Sequence, residues 1–201
     1  MKRLFLLFAI SLFFASCFNT NEEGTKEQEE YTQGNTKKEA TKELEEEQYI
    51  QDNFCGVKFG ANKAEVITQF ERNGFYLDEQ GSSKTQLVFD YKQKYFLFEE
   101  GYWNFLSIGF NFNQFWGITF VYNTTYKEEA INNFNNVVSS LSSKYKMDRP
   151  ILESDNVLGE YYVLTKEGKG ISIKCLKKED YGGYYTIHLF YFDKKFNHLI
   201  E

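Results

Sequence analysis

The sequence predicts a two-layer α+β fold: one helix plus a four-stranded antiparallel sheet, occurring twice behind an acidic tail. Three observations predict it. Aromatic residues concentrate in the last three quarters of the chain, with 31 of 38 falling in 54–201. Two segments carry apolar residues at helical spacing, and each is followed by runs that alternate apolar and polar residues. The helical segments also match each other: KAEVITQF at 63–70 and KEEAINNF at 127–134 share Lys, Glu, Ile and Phe at a constant offset of 64. The expected units are 54–122 and 123–195 within one domain, 54–201.

The first helix is expected over 62–73. Asn62 is placed to cap it, with Glu65 three residues on as in a capping box. Val66, Ile67 and Phe70 supply its apolar stripe, and Gly74 supplies the stop. The second helix starts near Thr125 and runs about 20 residues. Ala130, Ile131, Phe134, Val137, Val138, Leu141 and Tyr145 mark its apolar face. Strands are expected at 85–91, 95–103, 105–112 and 115–122, then at 151–155, 159–165, 169–176 and 184–192, with glycine-containing turns between them. Leu106, Ile108, Phe110 and Phe112 alternate with Ser107, Gly109, Asn111 and Asn113; Trp116, Ile118, Phe120 and Tyr122 repeat the pattern. One apolar and one polar face suits a sheet with helices on one side only, extending to a continuous eight-stranded sheet.

The first 53 residues differ in kind. Lys2 and Arg3 precede a twelve-residue apolar run, Leu4 to Ala15, interrupted only by Ser11. A span across the hydrocarbon core needs about 20 residues, so the run reads as a secretory signal over 1–16. Residues 18–53 hold eleven acidic residues against four lysines, a net charge of −7, with few large apolar side chains. Such a segment cannot bury enough surface to offset chain entropy, so 17–53 is expected to be a disordered linker. The signal contributes +2, which leaves −1 of the chain's −6 for 54–201. With no basic patch there, nucleic-acid binding has no electrostatic footprint.

Phe14-Ala15-Ser16-Cys17 resembles a bacterial lipobox. The resemblance implies cleavage before Cys17, acylation of its thiol and a membrane-held mature chain. Several acyl chains, at roughly 0.8 kcal/mol per buried methylene, make such an anchor durable. Phe18 is not the aspartate that retains such proteins at the inner membrane. The acidic residues that follow are similar to those of surface-exposed lipoproteins in some Gram-negative bacteria. The expected location is therefore the outer membrane, on its periplasmic or outer face.

The folded part resembles a second group. G-V-K-F-G at 56–60 leads into a helix ending in N-G-F, the long helix ends in S-S-K-Y, and the last strand is I-H-L-F-Y-F-D-K-K. These are similar to the tandem helix-plus-sheet units of the beta-lactamase inhibitor protein and of small outer-membrane lipoproteins of the SmpA/OmlA kind, over most of 54–195. The resemblance implies protein binding or envelope assembly and carries no catalytic motif.

Few residues point to chemistry. Cys55 and Cys175 either form a disulfide outside the cytoplasm or act as two buried thiols. His188 and His198 are the only histidines, and no metal-ligand spacing accompanies them, so no metal or other cofactor is expected. Glu99 with Glu100, and Glu153 with Asp155, could pair as acid and base, but charges at a sheet edge explain them more simply. The chain is expected to be a non-enzyme. Aromatic residues at turns remain: Tyr102, Trp103, Phe115, Tyr181 and Tyr184 are the expected binding residues, for a protein partner at the envelope or alternatively a glycan.

Overall fold

The computed structural model describes residues 49–148, 156–178 and 183–197. The expected signal, lipidation site Cys17, most of the acidic linker, the run 151–155, Tyr181 and His198 lie outside the described residues.

A short hairpin opens the domain, β1 (Asn53–Phe54) with β2 (Val57–Lys58). Helix α1 (Lys63–Arg72) follows where its caps direct. The Asn62 side chain accepts from the Glu65 backbone N–H at 3.0 Å, and Gly74 leaves the helix at φ +89. Strands β3 (Phe75–Asp78), β4 (Gln86–Tyr91), β5 (Phe96–Phe98), β6 (Gly101–Trp103), β7 (Phe105–Asn111) and β8 (Gln114–Thr124) come next. Helix α2 (Lys127–Lys144) has Glu128 and Glu129 in its first turn and Lys144 in its last, each suited to the helix dipole. Strands β9 (Val157–Leu164), β10 (Lys169–Lys178) and β11 (Tyr184–Asp193) complete the sheet, followed by a 3₁₀ turn at Lys194–Phe196.

The architecture is α+β. One seven-stranded, wholly antiparallel sheet runs β3-β4-β7-β8-β11-β10-β9. Both helices pack on the same face through Val66 and Phe70 of α1 and Ala130, Phe134, Val137 and Leu141 of α2. Four strands of the sheet follow α1 and three described strands follow α2; the fourth expected after α2, 151–155, lies outside the described residues.

The four after α1 are not the four expected: β3 joins the sheet and 95–103 does not. The expected single strand is a separate hairpin, β5–β6, that turns at Glu99 and Glu100. Both of these residues have left-handed backbones, at φ +50 and +56. The hairpin lies in the helix layer. Phe98 stacks on Phe120 at 4.4 Å, and Trp103 meets the same ring at 5.8 Å. Asn133 of α2 brackets it: its Oδ1 accepts from Tyr102 N at 2.8 Å, and its Nδ2 donates to Tyr102 O at 2.9 Å.

The hairpin tip buries a charge. The Glu99 carboxylate accepts from Lys144 Nζ at 2.9 Å, Ser140 Oγ at 2.8 Å and Tyr191 Oη at 3.3 Å. Burial and the Glu99 charge push the Tyr191 phenol well above its ordinary range, so it stays a donor. Glu99 is thus a buried ionic anchor between layers, not a sheet-edge charge.

A second ionic clasp ties the start of the domain to β10. Lys169 Nζ donates to Asp52 Oδ2 at 2.9 Å, and Tyr49 Oη donates to Asp52 Oδ1 at 2.9 Å. Burial alone would raise the Asp52 carboxyl, but the hydrogen bonds from Lys169 and Tyr49 and the Lys169 charge hold it below its ordinary value. A depressed carboxyl adds stability above its unfolded value, and that stability is lost as pH falls through the folded value. Asp52→Asn is therefore expected to cost up to about 1 kcal/mol at pH 7 and little at pH 3. Urea melts at the two pH values check this.

Cys55 sits at the β1–β2 turn, where its carbonyl accepts from Asn73 Nδ2 at 3.3 Å at the end of α1. Cys175 is buried in β10, paired with Ile187 and Gly159. No disulfide joins them. Of the two alternatives, the structure holds two buried thiols, both within the one apolar core. Burial pushes the Cys175 thiol up to about 11. Both are expected to resist alkylation in the native protein. On unfolding without reductant each should be alkylated singly, as read by peptide mass.

Candidate functional site

The sheet's other face is open, and the strand register lays its residues out as a grid. One row crosses from β4 to β9 as Gln86, Gly109, Gly117, Phe192, Gly170, Leu164. The next reads Val88, Ser107, Thr119, Phe190, Ser172, Tyr162. The third reads Asp90, Phe105, Val121, His188, Lys174, Glu160.

Three glycines in the first row leave room for rings to pack close over the strands. A Cβ on Gly109 would stand 2.8 Å from Trp116 Nε1, and one on Gly117 would stand 2.7 Å from the Phe190 ring. Phe192 covers Gly170 so closely that a Cβ there would overlap its ring. The rings touch one another. Trp116 meets Phe190 edge-on at 5.5 Å, and Phe190 stacks on Phe192 at 5.2 Å.

Rings packed over glycines beside small hydroxyl residues leave a trough of about 590 Å³. Trp116 and Phe190 give it apolar surface. Ser107, Thr119 and Ser172 line it with hydroxyls, and Gln86 and Asn111 add amides. Lys174 and His188 stand at the β10–β11 side, and no carboxylate among the described residues lines the trough. Glu160 pairs with Lys174 at 2.6 Å from outside that lining. Beyond the opposite rim, burial and the charge of Asp78 raise the Asp90 carboxyl. Asn111 Nδ2 is buried with no hydrogen-bond partner among the described residues; Thr186 Oγ1, the other such atom, lies outside the trough.

The expected site residues lie elsewhere. Tyr102 is 54% exposed, on the hairpin in the helix layer. Tyr184 is half-buried at the start of β11, outside the trough. Trp103 and Phe115 are fully buried, which removes them as surface anchors. Trp103 faces inward because the chain turns at Glu99–Glu100, and its Nε1 donates to Phe98 O at 2.9 Å. Phe115 faces inward because of a bulge. Gly109 pairs with Gly117, but Phe110 pairs with Phe115, so Trp116 is an extra residue on β8. That one residue reverses the phase. Phe115 enters the core beside Phe59 at 4.8 Å, and Trp116, expected inside, turns out onto the open face.

Phe112, also expected inside, sits in the β7–β8 turn at φ +47 and is 86% exposed. Phe190 was hidden by IHLFYF, a run apolar on both faces whose alternation marks neither as outer. The legible signal was the polar set: Ser107, Gly109 and Asn111 were expected opposite the core set and do lie on the open face.

The fold and site define an α+β protein with an open, aromatic-bearing sheet face. Among the described residues no helix is long and apolar enough to cross a membrane, and no cluster of three or more His, Cys, Asp or Glu could hold a metal ion. Comparisons with family models, curated proteins and solved structures return no match to this chain.

Proposed function

We propose that the protein is a non-enzymatic binding module, held on the outer membrane by acylated Cys17 and raised from it by the acidic linker, and that it grips its ligand on the open sheet face. The observation that carries this is the pair of rings, Trp116 and Phe190, packed edge to face over glycines in a recess. A protein partner and a glycan are the two ligand classes. The recess favours the glycan. Protein interfaces cover roughly 800 Å² per partner and use anchors that fill the other surface's pockets. Here the aromatics line a hollow of small-ligand size, within about 300–1,000 Å³. A ring in the recess offers apolar surface to the C–H face of a sugar, and adjacent hydroxyls and amides meet its oxygens.

The topology supports reading the chain as a duplicated unit. Each helix precedes an antiparallel meander, and the last strands of the two meanders, β8 and β11, pair at the centre of the sheet. The trough lies across that seam.

A glycan array read beside a pull-down from detergent-solubilised envelopes tests the proposal. Trp116→Ala is expected to weaken glycan binding about tenfold or more, the loss of an aromatic contact worth about 1.4 kcal/mol. Tyr102→Ala should leave binding unchanged. A blank array, together with a protein captured in a Trp116-dependent way, would move the assignment to a protein partner.

A further inference from the structure

We infer that the ligand is an acidic oligosaccharide lying diagonally along the trough, with a carboxylate-bearing sugar at Lys174 and an oxygen acceptor at Asn111. This rests on the glycan reading and names the class of glycan.

The diagonal follows from register. Asn111 lies on β7 and Lys174 on β10, three strand spacings apart, about 14 Å. Along the strand direction Asn111 stands two residues beyond the Gly109 row on one side, and Lys174 four residues from it on the other. Six residues of strand are about 20 Å. One sugar ring cannot touch both ends; a chain of rings can, passing the apolar surface of Trp116 and Phe190.

The charge follows from what lines the trough. A neutral sugar presents many hydroxyl donors and is best met by carboxylate acceptors, of which the lining has none among the described residues. It offers the Lys174 ammonium, and the Asn111 amide leaves a buried donor that lacks an acceptor. Burying such a donor without a partner is unfavourable, by about 1–3 kcal/mol, and a ligand oxygen would remove the penalty. Glu160 sits outside the lining and holds the Lys174 ammonium by one oxygen at 2.6 Å. That ammonium has three donors, and the side chain is 43% exposed, so it can also take a ligand carboxylate. Asp78 and Asp90 lie on the other side of the face.

The test uses full-length protein in detergent and titration calorimetry. The probes are hexasaccharides of glucuronate, galacturonate and mannuronate, their disaccharides, and carboxyl-reduced forms of the hexamers. At least one uronate hexamer is expected to bind at least tenfold tighter than its reduced form and its own disaccharide. Lys174→Gln should erase the preference for the carboxylate over the reduced form, and Lys174→Arg should keep it. Thermal melts establish that both variants fold. Reduced hexamers bound as tightly as uronates, with Trp116→Ala abolishing both, would overturn the acidic assignment and leave the glycan reading standing. If neither these probes nor a general glycan array showed binding, both would fall.

Discussion

Trp103→Ala is expected to destabilise the domain by about 3–5 kcal/mol, the usual cost of deleting a large aromatic from a core. For a chain of this size that is a fall in Tm of about 10 °C. The indole is fully buried, contacts Phe120, and has its one polar atom satisfied by Phe98 O. Gly101 clears the way for it; a Cβ there would strike Val137 of α2. The folded fraction should bind ligand as the parent does. A melt unchanged by the substitution, with binding lost, would restore Trp103 to the surface and refute the hairpin's placement.

Lys144→Met is expected to cost about 3 kcal/mol, because it strands the Glu99 carboxylate, whose side chain is 2% exposed, without its cation. Ser140 and Tyr191 still donate to it, but neither neutralises it. The stranding, more than the lost pair, accounts for the cost. The double variant Glu99→Gln, Lys144→Met should therefore recover much of the loss, since a neutral amide can be buried between the same hydroxyls. Denaturant melts of the parent, both single variants and the double variant give the coupling directly. Additive losses would mean that the pair is solvated and the hairpin tip is not an anchor.

These two sites also mark where the sequence could be read and where it could not. Asn62, Glu65 and Gly74 placed α1 within a residue, because capping is local chemistry. The 3.6 spacing of Ala130, Phe134, Val137 and Leu141 placed α2 likewise. Leu106, Ile108 and Phe110 alternate as a one-sided strand should, and their faces were legible. The phase of β8 was not, because one extra residue at Trp116 depends on pairing with β7, which strand composition does not encode. YFLFEEGYW has strand composition throughout, and nothing local shows that Glu99 and Glu100 both take left-handed backbones so that the chain folds back. Glu99 itself looked like a surface charge; its cation is 45 residues away, on a helix that reaches it only in the folded protein. The trough was missed for the same reason. Its rings come from β8 and β11 and meet only across the centre of the sheet.

Tryptophan fluorescence offers the most direct test, because the protein has two tryptophans and the account puts one in the core and one in the site. In a Trp103→Phe variant the remaining emission comes from Trp116. Saturating glycan ligand is predicted to shield that emission from acrylamide quenching at least severalfold. Ligand binding that left Trp116 as accessible to the quencher as before would contradict a site on the open sheet face.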